Sequence, residues 1–404
     1  MRSRSEHPGR SQRIYDIDAL RGFALWGIIA VHVTEQFLGG YPPPGMADYA
    51  IHGPIDEWFK SLNKVLFLSK FFTIFSLLFG LSFFIQMDRA AQKGQAFSGR
   101  FAWRLGLLFV IGMAHNLFFR GDILTIYALL GLLLIPFYKA SSRVLLGVAG
   151  VLIAGVPRYL LWLAKFYHLL PPKSEAAQAA FDAFNTRYFQ LARHGSIWEL
   201  MPVNILKGWP LKMEFQFDYF GRGYLTFAMF LIGLWLGRSR FFENIAQQQR
   251  LLGKLFLSCA GLALILEPLR YVLLQRFDVR TFRSAIGLSV QDWHHLAFSG
   301  ALVFGFLWLM QQPLAKWIRS GLIPYGRMAL SNYFIQSVLG TYFFFGWGLG
   351  MLGQVGASTA FLFGQGIFWL QVFGSRCWLR YFRYGPLEWL WRSGTYLKWQ
   401  PLKK

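Results

Sequence analysis

The chain has 404 residues, of which 55% are hydrophobic, 19% aromatic and only 15% charged. Soluble domains carry about 25% charged residues, so this balance, with apolar runs of about 20 residues, excludes an ordinary soluble fold and points to a polytopic membrane protein. The formal net charge of +22 does not imply nucleic acid: Lys and Arg gather in alternate loops, which is how membrane proteins fix their orientation, and no RNA- or DNA-binding motif accompanies them.

Ten runs are long enough to cross about 30 Å of hydrocarbon. They lie near 19–38, 64–87, 101–119, 122–138, 143–165, 221–237, 251–272, 294–311, 324–345 and 354–374. Basic residues precede the first run (Arg2, Arg4, Arg10, Arg13) and fall between the second and third (Arg89, Lys93, Arg100, Arg104). They recur in every second loop thereafter and in the C-terminal tail. Ten spans put all of them on one side, which predicts both termini in the cytoplasm. The first run lacks a small-residue cleavage site and reads as an uncleaved first helix. The expectation is an all-α helical bundle with about ten transmembrane helices, one membrane domain over 1–404, in a bacterial inner membrane.

Segment 166–220 is the longest stretch outside the runs. An amphipathic helix is expected from Ser174, a suitable N-cap, with Phe181, Phe184, Tyr188 and Phe189 on its apolar face, lying over the membrane or a cavity. In the basic, aromatic tail, Pro386 suits a first helical position. Glu388 and Arg392 are spaced to pair at i,i+4, and Trp with Arg fits an interfacial helix on an anionic leaflet. The two cysteines, Cys259 and Cys377, supply neither a disulfide framework nor zinc spacing. No set of His and carboxylate residues has metal-motif spacing, and no Gly-rich phosphate loop is present, so no metal is expected.

Ionisable residues inside a membrane are costly, and each is therefore a candidate site. In "DIDALRGFALWGIIAVH", Asp18 and Arg21 open the first helix, and His32 follows Arg21 by eleven residues. That is about 16 Å along a helix and nearly the same face. Arg104 and His115 repeat the spacing. One reading is a cavity with a basic rim that takes a phosphorylated carrier, with an imidazole deeper in. The other is that arginines simply flank the inner helix ends. Asp122 opens the fourth run, either as a helix-terminal carboxylate or as a group that orients a nearby histidine. Asn332 and Gln336, at i,i+4, either bind substrate or join helices. Arg327 either anchors its helix or contacts phosphate. Thr73, Ser76, Gly80 and Ser82 suit close helix packing, and His294 and His295 stand at the outer start of the eighth run.

The blocks "DIDALRGFALWGII", "RLGLLFVIGMAHNLFFRGDILTIYALLGLLLIPF", "GRMALSNYFIQSVLGTYFFFGWGLGMLGQVG" and "RYGPLEWLWRSGTYLKWQPL" resemble the bacterial YeiB-like proteins, domain-of-unknown-function family 418. The opening block is also similar to the first helix of membrane acyltransferases that modify surface polysaccharides, and to the heparan-glucosamine acetyltransferase group. Asp18, Arg21, Gly22 and His32 carry that similarity. It implies acyltransferase-like helices over 1–165, followed by the outer segment and YeiB-like helices over 221–404. It also implies an acyl-CoA donor substrate from the cytoplasm and an acceptor on an envelope glycan, lipid or small molecule. His32 would be the base or acyl carrier, oriented by Asp122 or His115. Arg21 and Arg104 would hold the donor's phosphates, helped by Arg327. Two other classes stay open: a transporter of a small anion or envelope precursor, and a non-catalytic envelope scaffold. The lipid bilayer is the expected partner, nucleic acid is not, and a homodimer is left open.

Overall fold

A computed structural model describes residues 14–39, 42–43, 45–46, 48–170, 174–275, 278 and 281–404. The orientation signals expected of Arg2, Arg4, Arg10 and Arg13 lie outside the described residues. Among the described residues the fold is helical, with one isolated bridge between Phe382 and Lys403 and no strand.

The first half runs α1 (Tyr15–Thr34), α2 (Pro54–Leu66), α3 (Phe71–Ala91), α4 (Ser98–Phe118), α5 (Leu124–Leu134), α6 (Ser142–Ile153) and α7 (Val156–Phe166). A covering segment follows as α8 (Glu175–His194), α9 (Ile197–Val203) and α10 (Trp209–Phe217), the last two joined by a π-helical turn at Asn204–Gly208. The second half holds α11 (Gly223–Arg238), α12 (Gln249–Leu274), α13 (Phe282–Met310), α14 (Lys316–Arg327), α15 (Ala329–Phe344), α16 (Ala357–Tyr381) and α17 (Pro386–Tyr396).

Among the described residues five helical stretches are long and apolar enough to cross a membrane: α1, α2 with α3, α4, α12 and α13. A sixth results if α6 and α7, bent by 46° at their junction, count as one span. This is fewer than the ten expected, for readable reasons. Helices α5 and α11 have 11 and 16 residues, short of the roughly 20 a span needs. The run at 324–345 is divided at Met328 into α14 and α15. Helix α16 carries Gln365, Gln371, Ser375 and Arg376, which lower its hydropathy.

Helix α1 is the centre of the bundle and packs on α3, α14, α15 and α16. Glycine permits the closest approach. A Cβ at Gly326 would lie 1.9 Å from the Asp18 carbonyl oxygen, and one at Gly22 would lie 2.5 Å from that of Leu322. Helices α3 and α11 pack in parallel on the same device: Gly80 abuts the Phe230 carbonyl, Gly233 that of Leu77, and Gly237 the Phe84 ring. The expected small-residue packing of α3 is therefore used, and Ser76 also meets the Tyr127 hydroxyl at 2.7 Å. Helix α12 buries Leu252, Ala263 and Leu266 but exposes Leu257, Leu264 and Ile265, the pattern of a lipid-facing helix.

The C-terminal helix departs from expectation. Glu388 does not pair with Arg392. Its carboxylate accepts from the backbone N–H groups of Leu330 (2.7 Å) and Ser331 (3.1 Å) and from the Ser331 hydroxyl (2.5 Å). The first turn of α15 has orphan N–H donors, and the Glu388 carboxylate accepts from them in place of pairing with Arg392. Arg392 lies instead over Tyr384 and Tyr396.

Candidate functional site

A cavity of about 630 Å³ opens between the C-terminal end of α1, the α2–α3 connection, the α4–α5 turn and the covering segment. Helix α8 begins as expected, with the Ser174 hydroxyl accepting from the Ala177 N–H at 3.1 Å. Phe181 and Phe184 line the cavity, and Tyr188 and Phe189 are buried beneath. Leu211, Lys212 and Phe215 of α10 complete the cover.

His32 stands on the cavity wall at the last turn of α1, and Glu35, three residues on, shares its face. The His32 ring packs edge-on to Phe119 at 4.9 Å. The His115 ring packs on the same Phe119 at 6.0 Å, so the two imidazoles lie within the sum of those two distances. The two histidines of the repeated spacing thus share one neighbourhood.

They do not share a role. His115 is fully buried in α4 and its Nδ1 is 2.9 Å from Asp122 Oδ1. A carboxylate only accepts, so Nδ1 carries the proton, and Nε2 has no hydrogen-bond partner among the described residues. Asp122 also accepts from the N–H groups of Leu124 (3.1 Å) and Thr125 (3.0 Å) and from the Thr125 hydroxyl (2.9 Å). It therefore closes the start of α5 and orients a histidine at once. The histidine it orients is His115; neither group hydrogen-bonds His32 among the described contacts.

Lys212 reaches into this network from the cover. Its ammonium donates to Asn116 Oδ1 (2.9 Å), the Asp122 carbonyl (2.9 Å) and the Thr125 hydroxyl (3.3 Å), and lies 3.7 Å from Asp122 Oδ2. Burial pushes the Asp122 carboxyl up. The Lys212 ammonium, the His115 hydrogen bond and the Thr125 N–H outweigh it, so Asp122 stays below its ordinary range. Burial pushes the Lys212 ammonium down, and Asp122 only partly draws it back.

The three arginines expected at a donor site have other partners. Arg21 donates to Asp18 Oδ1 at 2.8 Å and to the Ser82 hydroxyl at 2.6 Å, joining α1 to α3 at the end away from His32. Arg104 lies 3.5 Å over the Trp391 ring and 3.4 Å from the Thr395 hydroxyl, where it seats α17. Arg327 donates to the Arg383 carbonyl at 3.3 Å. None of the three lines the cavity. Asn332 donates to the Tyr325 carbonyl (3.1 Å) and the Ser375 hydroxyl (2.9 Å), which joins α14, α15 and α16. Gln336 is fully buried, with neither side-chain polar atom partnered among the described residues. Asp18 and Gly22 belong to the α1–α14 contact. His294 and His295 fall in the middle of the 29-residue α13, not at its start.

The sequence pattern missed Glu35, Tyr333, Lys212, Arg222 and Ser69, all on the cavity wall. Glu35 was legible from its i,i+3 relation to His32. Tyr333 follows Asn332, but no pattern says that its side chain is buried beside the His115 ring. The other three lie at helix ends or in the cover, where periodicity carries no register.

A family model described as "Protein of unknown function (DUF418)" matches residues 236–398. The chain is 29% identical to the uncharacterized protein YxaH of Bacillus subtilis (strain 168), over 98% of this chain and 97% of that protein. It is 27% identical to the uncharacterized protein YeiB of Escherichia coli (strain K12), over 95% and 96%. An uncharacterized 39.9 kDa protein in the amylase 3′ region of Bacillus acidopullulyticus is also 27% identical, over 97% and 96%.

Proposed function

We propose that this chain, similar over nearly its whole length to YxaH and YeiB and matching the DUF418 model over residues 236–398, is a membrane acyltransferase whose reaction takes place in the cavity at His32. We place it in the bacterial inner membrane with both termini cytoplasmic, on the distribution of its basic loops. The observation that carries the reading is the setting of His32: an imidazole on the wall of a closed-over, aromatic cavity, with a carboxylate and cationic groups beside it.

In this reading His32 accepts the proton of an acceptor hydroxyl or amine as that atom attacks the thioester carbonyl of an acyl-CoA. The carbon–sulfur bond breaks, and the departing thiolate takes the proton from the imidazolium. Such general-base assistance contributes typically 100- to 10,000-fold. The acceptor is an envelope glycan, lipid or small molecule. Because Arg21, Arg104 and Arg327 are engaged elsewhere, the donor's phosphates fall to groups nearer the cavity. The test is acyl transfer from radiolabelled acetyl-CoA by the purified full chain in lipid nanodiscs, with membrane lipids and envelope glycans as acceptors. A loss of at least 100-fold in His32→Ala, with the protein still folded, is the expected result. Equal turnover in His32→Ala would sink the reading.

A transport reading has one observation in its favour. The bent junction of α6 and α7 falls at Gly155, and nearby Arg158 forms a buried ion pair with Asp292 at 2.7 Å. Broken helices with buried charge occur in transporters. Uptake by proteoliposomes that is abolished by Asp292→Asn, but not by His32→Ala, would favour it.

A further inference from the structure

Resting on the reading that substrate reacts in this cavity, we propose that its wall holds a built phosphate site, formed by Ser69 and Arg222 where the parallel helices α3 and α11 begin, with Lys70 buried behind the wall. The ligand class is a phosphate ester, either the phosphates of a soluble acyl carrier or the headgroup of an anionic lipid.

The argument begins with the parallel packing of α3 and α11, which sets two helix N-termini side by side. Lys70 immediately precedes α3 and Arg222 immediately precedes α11. Each N-terminus presents orphan N–H groups and about half a positive charge, which favours an anion. The charged side chains do not cancel this. Arg222 and Arg270 both lie within electrostatic reach of Lys70, and Glu267 is the acid that acts on it. Glu267 is already held by Arg270 and by His294, 3.3 Å away. Glu35 is the other acid in reach of Arg222. Three cations against two acids leave a positive charge, to which both helix N-termini add. Buried charge of one sign is costly unless a counter-charge arrives.

The hydroxyl of Ser69 is the independent pointer to a ligand. Ser69 lines the cavity, is 6% exposed, and its Oγ has no hydrogen-bond partner among the described residues. Its backbone is held at φ 70°, a strained conformation for a serine. Arg222 lines the same cavity, with its guanidinium 5.5 Å over the Phe72 ring and no hydrogen bond among the described contacts. Lys70 is 2% exposed. Its ammonium donates to the Lys64 carbonyl at 3.0 Å, which leaves two of its three protons for other acceptors. Ser299 fixes the Lys70 carbonyl at 3.1 Å, so the turn is held before any ligand arrives.

The test is equilibrium binding to the purified full chain in nanodiscs of phosphatidylcholine. Radiolabelled acetyl-CoA and a short-chain phosphatidylglycerol are the two probes, and the one that binds identifies the source of the phosphate. Wild type is expected to bind one probe saturably. Arg222→Gln should weaken it at least tenfold and Ser69→Gly several-fold. Glycine accepts the positive φ, so the second variant removes the hydroxyl without straining the fold. Binding is read without turnover, so the phosphate site can fail while acyl transfer persists, and transfer can fail while the site still binds, which separates the two readings. Binding of neither probe by folded wild type would overturn the proposal. So would affinity unchanged in both Arg222→Gln and Ser69→Gly.

Discussion

The two ends of α1 look alike in sequence and differ in structure. Each places ionisable groups near the limit of an apolar helix: Asp18 and Arg21 at one end, His32 and Glu35 at the other. At the first end the charges pair with each other, Ser82 takes the remaining reach of Arg21, and Gly22 and Gly326 close the helices to backbone contact. At the second end the side chains face open space. The difference teaches that similar polar residues in one helix are consumed by the fold where their valences are filled, as at Arg21, and stay available to a ligand where they line a cavity, as at His32. A motif alone does not say which.

Substitutions sharpen or break that contrast, beginning at the closed end. Gly326→Val should have the largest effect, because its Cβ meets a backbone carbonyl and no side chain can yield. Overpacking ordinarily costs about 1–3 kcal/mol and more where the backbone must move. The expected outcome is loss of the monodisperse peak in detergent. A folded Gly326→Val protein would mean that α1 and α14 are not locked.

Asp122→Ala comes next. It strips the carboxylate from Lys212 and His115 together, and breaking a buried charge pair costs about 3–5 kcal/mol. Thermal unfolding followed by tryptophan fluorescence should show a large drop in midpoint. The loss should shrink in the double variant with Lys212→Met, because the stranded cation is then removed as well.

Arg21→Gln should cost about 1–3 kcal/mol, the range for hydrogen bonds to a charged group. Transfer per folded molecule should stay as in wild type. His32→Ala should do the reverse, leaving the midpoint nearly unchanged while transfer collapses. The same response from both variants would erase the distinction between the two ends.

The smallest expected effect is a pH dependence at the α15–α17 junction. Burial raises the Glu388 carboxyl, and hydrogen bonds from Ser331 and Leu330 oppose it only in part. A raised carboxyl contributes stability that is complete below the ordinary range and is lost as pH rises through the raised value. The midpoint should therefore fall modestly as pH rises from the ordinary carboxyl range through the raised Glu388 value, and Glu388→Gln should flatten that slope. A midpoint that instead rises with pH only in wild type would reverse the assignment.

The helices were legible because apolar runs and caps are local: α1, α3, α4 and α12 lie close to where periodicity puts them, and Ser174 caps α8 as composition suggests. The number of membrane spans was less legible, since short apolar helices inside a bundle have the composition of a span without its length. At the site, His32 and His115 could be paired from their equal spacing to Arg21 and Arg104. Their division of labour could not, because it depends on Asp122 reaching one ring and not the other. Ser69 and Arg222 were out of reach for another reason. Both line the cavity because α3 and α11 pack in parallel, separated by 131 residues of chain that no periodicity spans.

The Gly22–Gly326 contact also bears on motion. Two helices with no room for a methyl group between them have no rotamer to change and no side chain to slide over, so α1 and α14 turn or shift only as one body. His32 rides on that body. The covering segment reaches the cavity from outside that body. It is tied to the α4–α5 region by the ammonium of Lys212, by Asn204, which bonds Asn116 and the Leu117 carbonyl, and by Arg120, which meets Asn185 and Tyr188. The wall that carries His32 and the cover that faces it are thus fastened by different means, glycine contact on one side and polar side chains on the other.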